Sequence, residues 1–137
     1  QQVSSAASDV YKRQGNYEYI KTKTEEVFYD PKIATKKIVD EVFESVNDRE
    51  KLIRTLSLAK SAIRHNMADD LPKMITKTLI IWGKNDLVTP PNVAEDFHSL
   101  LPNSDLVWID KCGHAPMMEH PVHFNKLMEK WLLDNNL

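Results

Sequence analysis

Two short apolar runs joined through one helix constrain this chain more than any other feature. Thr78-Leu-Ile-Ile-Trp82 is a continuous apolar run stopped by Gly83, and Leu106-Val-Trp-Ile109 is a second. Runs of this length fit strands buried on both faces, as in a parallel sheet. Between them Pro90-Pro91 opens a helix through Val93, Ala94, Phe97, Leu100 and Leu101, and Pro102-Asn103-Ser104 closes it. Strands separated by a helix and about two dozen residues are joined by a crossover, expected to be right-handed, and not by a hairpin. Pro121 starts a last helix through Phe124, Leu127, Met128, Trp131 and Leu132. Two strands alone leave open edges and uncovered apolar faces, so this α/β pattern is expected to belong to a larger sheet.

Upstream of the strands the grammar is helical. Tyr17, Ile20, Thr24, Val27 and Phe28 recur at helical spacing and predict a helix from Tyr17 to Tyr29. Asp30-Pro31 reads as a helix start, with Asp as N-cap and Pro at the first position. The stripe Ile33, Ile38, Val42, Phe43 and Val46 continues to about Asn47. Asp48 caps a third helix, with Leu52, Ile53, Leu56, Ala59 or Lys60, Ile63 and Met67 on its stripe, and Asp69-Asp70-Leu71-Pro72 ends it. Lys32, Lys36, Lys37, Asp40, Glu41 and Glu44 form a solvated face. The expected organisation is therefore a helical segment over residues 15–72 and a strand–helix–strand–helix segment over residues 73–137. Residues 4–14 have neither an amphipathic period nor the apolar core of a signal peptide. They resemble the in-frame translation of a sequencing-library adapter. Residues 1–14 are accordingly expected to be a non-native tail, with the natural protein extending upstream of Gly15.

Composition excludes several classes. The net charge is −2 over 137 residues, against a nucleic-acid binder that relies on bulk positive charge. No run of about 18 apolar residues is present, so no membrane span is expected. The single cysteine, Cys112, allows no internal disulfide and makes a cytoplasmic location the default. Glycine occurs only at 15, 83 and 113, so no Gly-rich phosphate loop and no Gly-x-Ser-x-Gly can be written in this sequence.

Two residues carry the candidate chemistry. Asp86 and His114 each follow a strand closely, where ligands bind in open parallel sheets. If the strands are neighbours, the Asp86 carboxylate can hold Nδ1 of His114 and leave Nε2 as a base. Asp110, at the end of the second strand, is a rival acid. Cys112 reads as a small, semi-buried turn residue and not as a nucleophile. Glu119, His120 and His123 could suggest a metal, but only an i, i+3 pair shares a helix face and no third ligand is spaced to complete a site. Arg64, His65 and Asn66 form a polar cluster at the end of the third helix, and Arg64 and His65 are candidate pocket residues. Met117 and Met118 are candidate pocket or core residues. Trp82 and Trp108 read as core.

Leu79-Ile-Ile-Trp-Gly-Lys-Asn-Asp86, Val88-Thr-Pro90, Cys112-Gly-His114 and Glu119-His-Pro121 together resemble the closing segment of the α/β-hydrolase fold. The resemblance implies Asp86 as the acid and His114 as the general base of a Ser, Asp, His triad. Residues 16–71 stand where such enzymes carry a helical cap. Lys111-Cys-Gly-His114, Glu119-His120, Phe124-Asn125 and Val27-Phe-Tyr-Asp30 resemble the meta-cleavage-product hydrolases, which cut C–C bonds in vinylogous diketones. Those enzymes carry Trp directly after the histidine, where Ala115 stands here, and a second aromatic where Met117 or Met118 stands. Arg64 is a candidate for their substrate-carboxylate arginine. The resemblance implies a C-terminal fragment of a hydrolase for a small, apolar carboxylic ester or a diketone-type C–C bond. The fragment is expected to be inactive alone, because the nucleophile and oxyanion hole are absent from it. No cofactor, metal, nucleic acid or membrane partner is implied. A non-catalytic binding protein of the same fold is the alternative.

Overall fold

The computed structural model describes residues 15–64 and 67–136. Helix α1 spans Tyr17–Glu25, capped by Asn16, whose side chain accepts the Tyr19 N–H. Ile20, Thr24 and Phe28 are its buried positions and the spot just beyond it. The periodicity predicts helix as far as Tyr29, but the chain leaves the helix at Glu26. The reason is tertiary: the Val27 carbonyl and the Tyr29 and Asp30 N–H groups are taken by residues of the far C-terminal loop. We call Val27–Asp30 the strap.

Asp30 does cap a helical turn, but only the 3-10 turn Pro31–Ile33. Helix α2 spans Lys36–Asn47 with Thr35 as its N-cap. Its most buried residue is Val39, one position off the stripe read from the sequence. Tyr17 ties α1 to α2 through its hydroxyl, which donates to Asp40 at 2.7 Å, and through an edge-on ring contact with Phe43. Lys36–Asp40 and Lys37–Glu41 pair along the solvated face. Helix α3 spans Arg49–Arg64 and is followed by 3-10 turns at Met67–Asp69 and Leu71–Lys73.

Asp48 caps α3 by accepting the Glu50 and Lys51 N–H groups at 2.9 and 3.1 Å. The Lys51 N–H bond holds its carboxyl below the usual carboxylate range, with Glu50 N–H and the charges of Lys51 and Arg54 adding to the effect. A carboxyl whose pKa is depressed on folding stabilises the fold above its unfolded value. That contribution is lost as pH falls through the lower, folded value. We therefore expect the helical circular dichroism of Asp48→Asn to fall less between pH 4 and 2 than that of the wild type.

Strand β1 spans Thr78–Gly83 and strand β2 spans Ser104–Ile109. They pair directly and in parallel, in the register Thr78↔Ser104 through Gly83↔Ile109. Helix α4, Pro91–Leu100, joins them, packs on both, and buries Ala94 completely. Burial on both faces was the expectation for these strands. Apart from the exposed Asp105, both are only half-buried until their last residues, Gly83 and Ile109. Among the described residues β1 has one strand neighbour, so its outer edge lies open beside Leu71, Met74, Phe97 and Leu101.

A short helix α5, Pro116–Glu119, was not foreseen from the sequence. Helix α6, Pro121–Asp134, closes the chain, and Trp131 donates from its indole to Asp105 of β2 at 2.7 Å. No helix among the described residues is long and apolar enough to cross a membrane.

Candidate active site

The parallel register brings the two strand ends level, and backbone bonds then fuse the loops that leave them. Lys84 N–H donates to the Ile109 carbonyl, and Asn85 N–H to the Cys112 carbonyl, both at 2.9 Å. Gly83 makes this approach sterically feasible. A Cβ there would sit 2.1 Å from the Gly113 carbonyl oxygen and 2.5 Å from that of Cys112. Gly113 is needed for the same reason, since its Cβ would sit 2.5 Å from the Val27 carbonyl oxygen.

Asp86 and His114 meet across this junction. His114 Nδ1 donates to Asp86 Oδ2 at 2.8 Å. The other carboxylate oxygen, Oδ1, accepts the Val88 and Thr89 N–H groups at 2.8 and 2.9 Å. Asp86 is buried, so these three donors meet the need of a charge removed from water. Trp82 steadies the same loop, because its indole N–H donates to the Thr89 carbonyl at 3.2 Å. It is half-buried and serves the acid loop, a role beyond the simple core position read from its apolar run. Nε2 of His114 makes no hydrogen bond among the described residues, and the side chain is 43% exposed. The imidazole is thus held by one nitrogen and open at the other, as a base that must reach a reactant.

The rival acid Asp110 points elsewhere, 3.9 Å from the Lys84 ammonium at the surface. Cys112 is completely buried, and that burial, together with the charge of Glu119, pushes its thiol up to about 12. Such a thiol carries almost no thiolate near neutral pH and is a packing residue. Glu119 and His120 are engaged in structure. The Glu119 carboxylate accepts backbone N–H groups from Gly113, Tyr29 and Asp30. His120 Nε2 donates to the carbonyl of Lys111, a residue in the left-handed region with φ 50°. No cluster of metal-ligating side chains occurs among the described residues.

A cavity of about 130 Å³ opens beside the pair, lined by Ile81, Trp82, Pro116, Met117 and Phe124 together with Asp86 and His114. Met117 therefore lies at the site. Met118 is exposed and outside the lining, and so is Arg64, at the exposed end of α3. His65 falls outside the described residues, as does the adapter-like stretch before Gly15. Phe124 is the lining residue that periodicity assigned only to a helix face. The signal that marks it is its place one turn into the helix that follows the histidine loop.

A parallel strand pair with an acid–histidine couple across its carboxyl ends defines a class of α/β protein. The family model of the alpha/beta hydrolase fold matches residues 2–121, and the chain belongs to that family. The enzyme MGS-MChE2, an alpha/beta hydrolase from the metagenome of sediments from the lagoon of Mar Chica, Morocco, shares 68% identity. It superposes with a TM-score of 0.68 over 74% of this chain and 47% of that one. The 2-hydroxy-6-oxononadienedioate/2-hydroxy-6-oxononatrienedioate hydrolase of a Pseudomonas species is 31% identical over 106 residues, 76% of this chain and 38% of that protein. Monoacylglycerol lipase abhd6-B of Xenopus laevis is 34% identical over 77 residues, 56% of this chain and 23% of that protein. The chain thus spans less than half the length of each of these relatives.

Proposed function

We propose that this chain supplies the acid and base of a serine hydrolase whose substrate is a small, apolar carboxylic ester. The observation that carries the proposal is the Asp86–His114 hydrogen bond, with Nε2 open beside an apolar cavity. In this reading the nucleophile lies on chain preceding Gly15, on a Gly-x-Ser-x-Gly turn that this sequence cannot form. Residues 15–72 act as the cap over the site, and residues 73–137 as the end of the catalytic core. The single cysteine supports a cytoplasmic setting.

The serine Oγ attacks the ester carbonyl while Nε2 of His114 takes its proton. Asp86 stabilises the imidazolium that forms, and the imidazolium then protonates the leaving alkoxide. Water attacks the acyl-enzyme with its proton again going to Nε2, and the serine is regenerated when that proton returns to it. The 137-residue chain alone is expected to show no hydrolysis, because base and acid without a nucleophile do no acyl transfer.

An ester is favoured over a charged diketone by the lining. Among the described residues that line it, Asp86 and His114 are the only titratable groups, and none is a lysine or arginine. A substrate carboxylate would find no lysine or arginine partner among those residues. The test uses the enzyme encoded by the complete reading frame. It should hydrolyse p-nitrophenyl butyrate with a kcat/KM at least about a hundredfold above that for a 2-hydroxy-6-oxo-dienoate. The reverse preference would overturn the ester assignment.

A further inference from the structure

One carboxylate outside the acid–base pair is bonded to both sides of the contact that seats His114. Glu119 Oε1 accepts the Tyr29 and Asp30 N–H groups at 2.7 and 3.0 Å, both from the strap. Its Oε2 accepts the Gly113 N–H at 2.5 Å, from the turn that carries the histidine. The strap and the turn also touch directly, where His114 N–H donates to the Val27 carbonyl at 2.7 Å. Gly113 has no room for a side chain at this contact. Three backbone donors that no helix or strand satisfies thus converge on a single anion, and bonds of this kind are the stronger sort.

We propose that Glu119 is a positioning residue for His114: its carboxylate clamps the strap onto the Gly113–His114 turn and so fixes the imidazole against Asp86. The proposal rests on the reading of Asp86 and His114 as the acid–base pair. It adds that the strap, which continues from α1, bears on the base through this clamp. A movement of the strap would therefore be transmitted to Nδ1 of His114 through Glu119 and the Val27 carbonyl. Glutamine keeps the shape of the side chain but offers one oxygen, so Glu119→Gln can hold the strap or the turn but not both. Glu119→Asp keeps the charge on a stem one methylene shorter and spans the gap poorly.

The test is nuclear magnetic resonance of the 15N-labelled enzyme encoded by the complete reading frame, comparing wild type, Glu119→Gln, Glu119→Asp and Val39→Ala. Val39 is buried in α2, outside both the strap and the Gly113–His114 turn in sequence, and serves as the purely structural control. Two signals are read: hydrogen exchange of the His114 amide, and the downfield Nδ1 proton shared with Asp86. Glu119→Gln should speed exchange of the His114 amide at least about tenfold and shift or broaden the Nδ1 proton, with Glu119→Asp between it and wild type. Val39→Ala should leave the Nδ1 proton in place. Unchanged signals in both Glu119 variants, or the same change in Val39→Ala, would overturn the clamp. A wild type with no Nδ1 proton would instead overturn the acid–base reading, and amide exchange would still decide the clamp by itself.

Discussion

Asp86→Asn should reduce kcat/KM of the complete enzyme by a factor on the order of 10⁴ while leaving it folded. The amide can keep one oxygen on the Val88 and Thr89 N–H groups, where Oδ1 accepts now at 2.8 and 2.9 Å. Its NH₂ group then faces His114 Nδ1, which must accept where it now donates. That forces the proton onto Nε2, the nitrogen required to receive the serine proton. The geometry survives and the tautomer is wrong. A drop of less than tenfold, measured at pH 7–8 with a neutral ester, would mean that Asp86 is not the partner that orients the base. Asp110→Asn should leave the rate near wild type, since its carboxylate faces Lys84 at the surface.

Much of this site was legible in the sequence because its parts are local. Two apolar runs stopped by turns fix the strand ends, and Asp86 and His114 stand within a few residues of those ends. The pairing of the strands brings the two side chains together without further assumption. What was hidden depends on residues distant in the chain. Val27, Phe28 and Tyr29 keep a helical pattern, yet α1 stops at Glu25 because the strap's polar groups bond His114 and Glu119, about 90 residues away. Glu119 could be seen as part of a resemblance, but its partners are backbone N–H groups, which carry no sequence signature. Val39 was missed because an apolar stripe on a short helix can be indexed one residue either way. The half-burial of β1 follows from its single strand neighbour among the described residues, which a run of apolar residues cannot report.

The largest structural effect is expected at Gly83. Gly83→Ala would place a methyl carbon 2.1 Å from one backbone carbonyl oxygen, 2.5 Å from a second, and 2.8 Å from a carbonyl carbon. None of these is the flexible end of a side chain, so the loop carrying Cys112 and Gly113 must move away from β1. Overpacking against immovable neighbours costs about 3 kcal/mol, which lowers Tm by roughly 10 °C in a protein of this size class. The same displacement carries His114 away from Asp86, so activity should fall more steeply than stability. Gly15→Ala is the control, because nothing lies within 4 Å of the added carbon. Thermal unfolding of both variants by circular dichroism decides the matter, and a Gly83→Ala Tm within about 2 °C of wild type would contradict the close approach.

That Asp86 and His114 serve a serine nucleophile is tested most directly by labelling. The reading frame preceding Gly15 is sequenced, the complete enzyme is expressed, and its reaction with a fluorophosphonate is followed by mass spectrometry. A single modified serine within a Gly-x-Ser-x-Gly turn is expected, with labelling slowed at least about a hundredfold in His114→Ala. Labelling at the same rate in both proteins, or no labelled serine at all, would contradict the assignment and leave the fold as that of a non-catalytic binder.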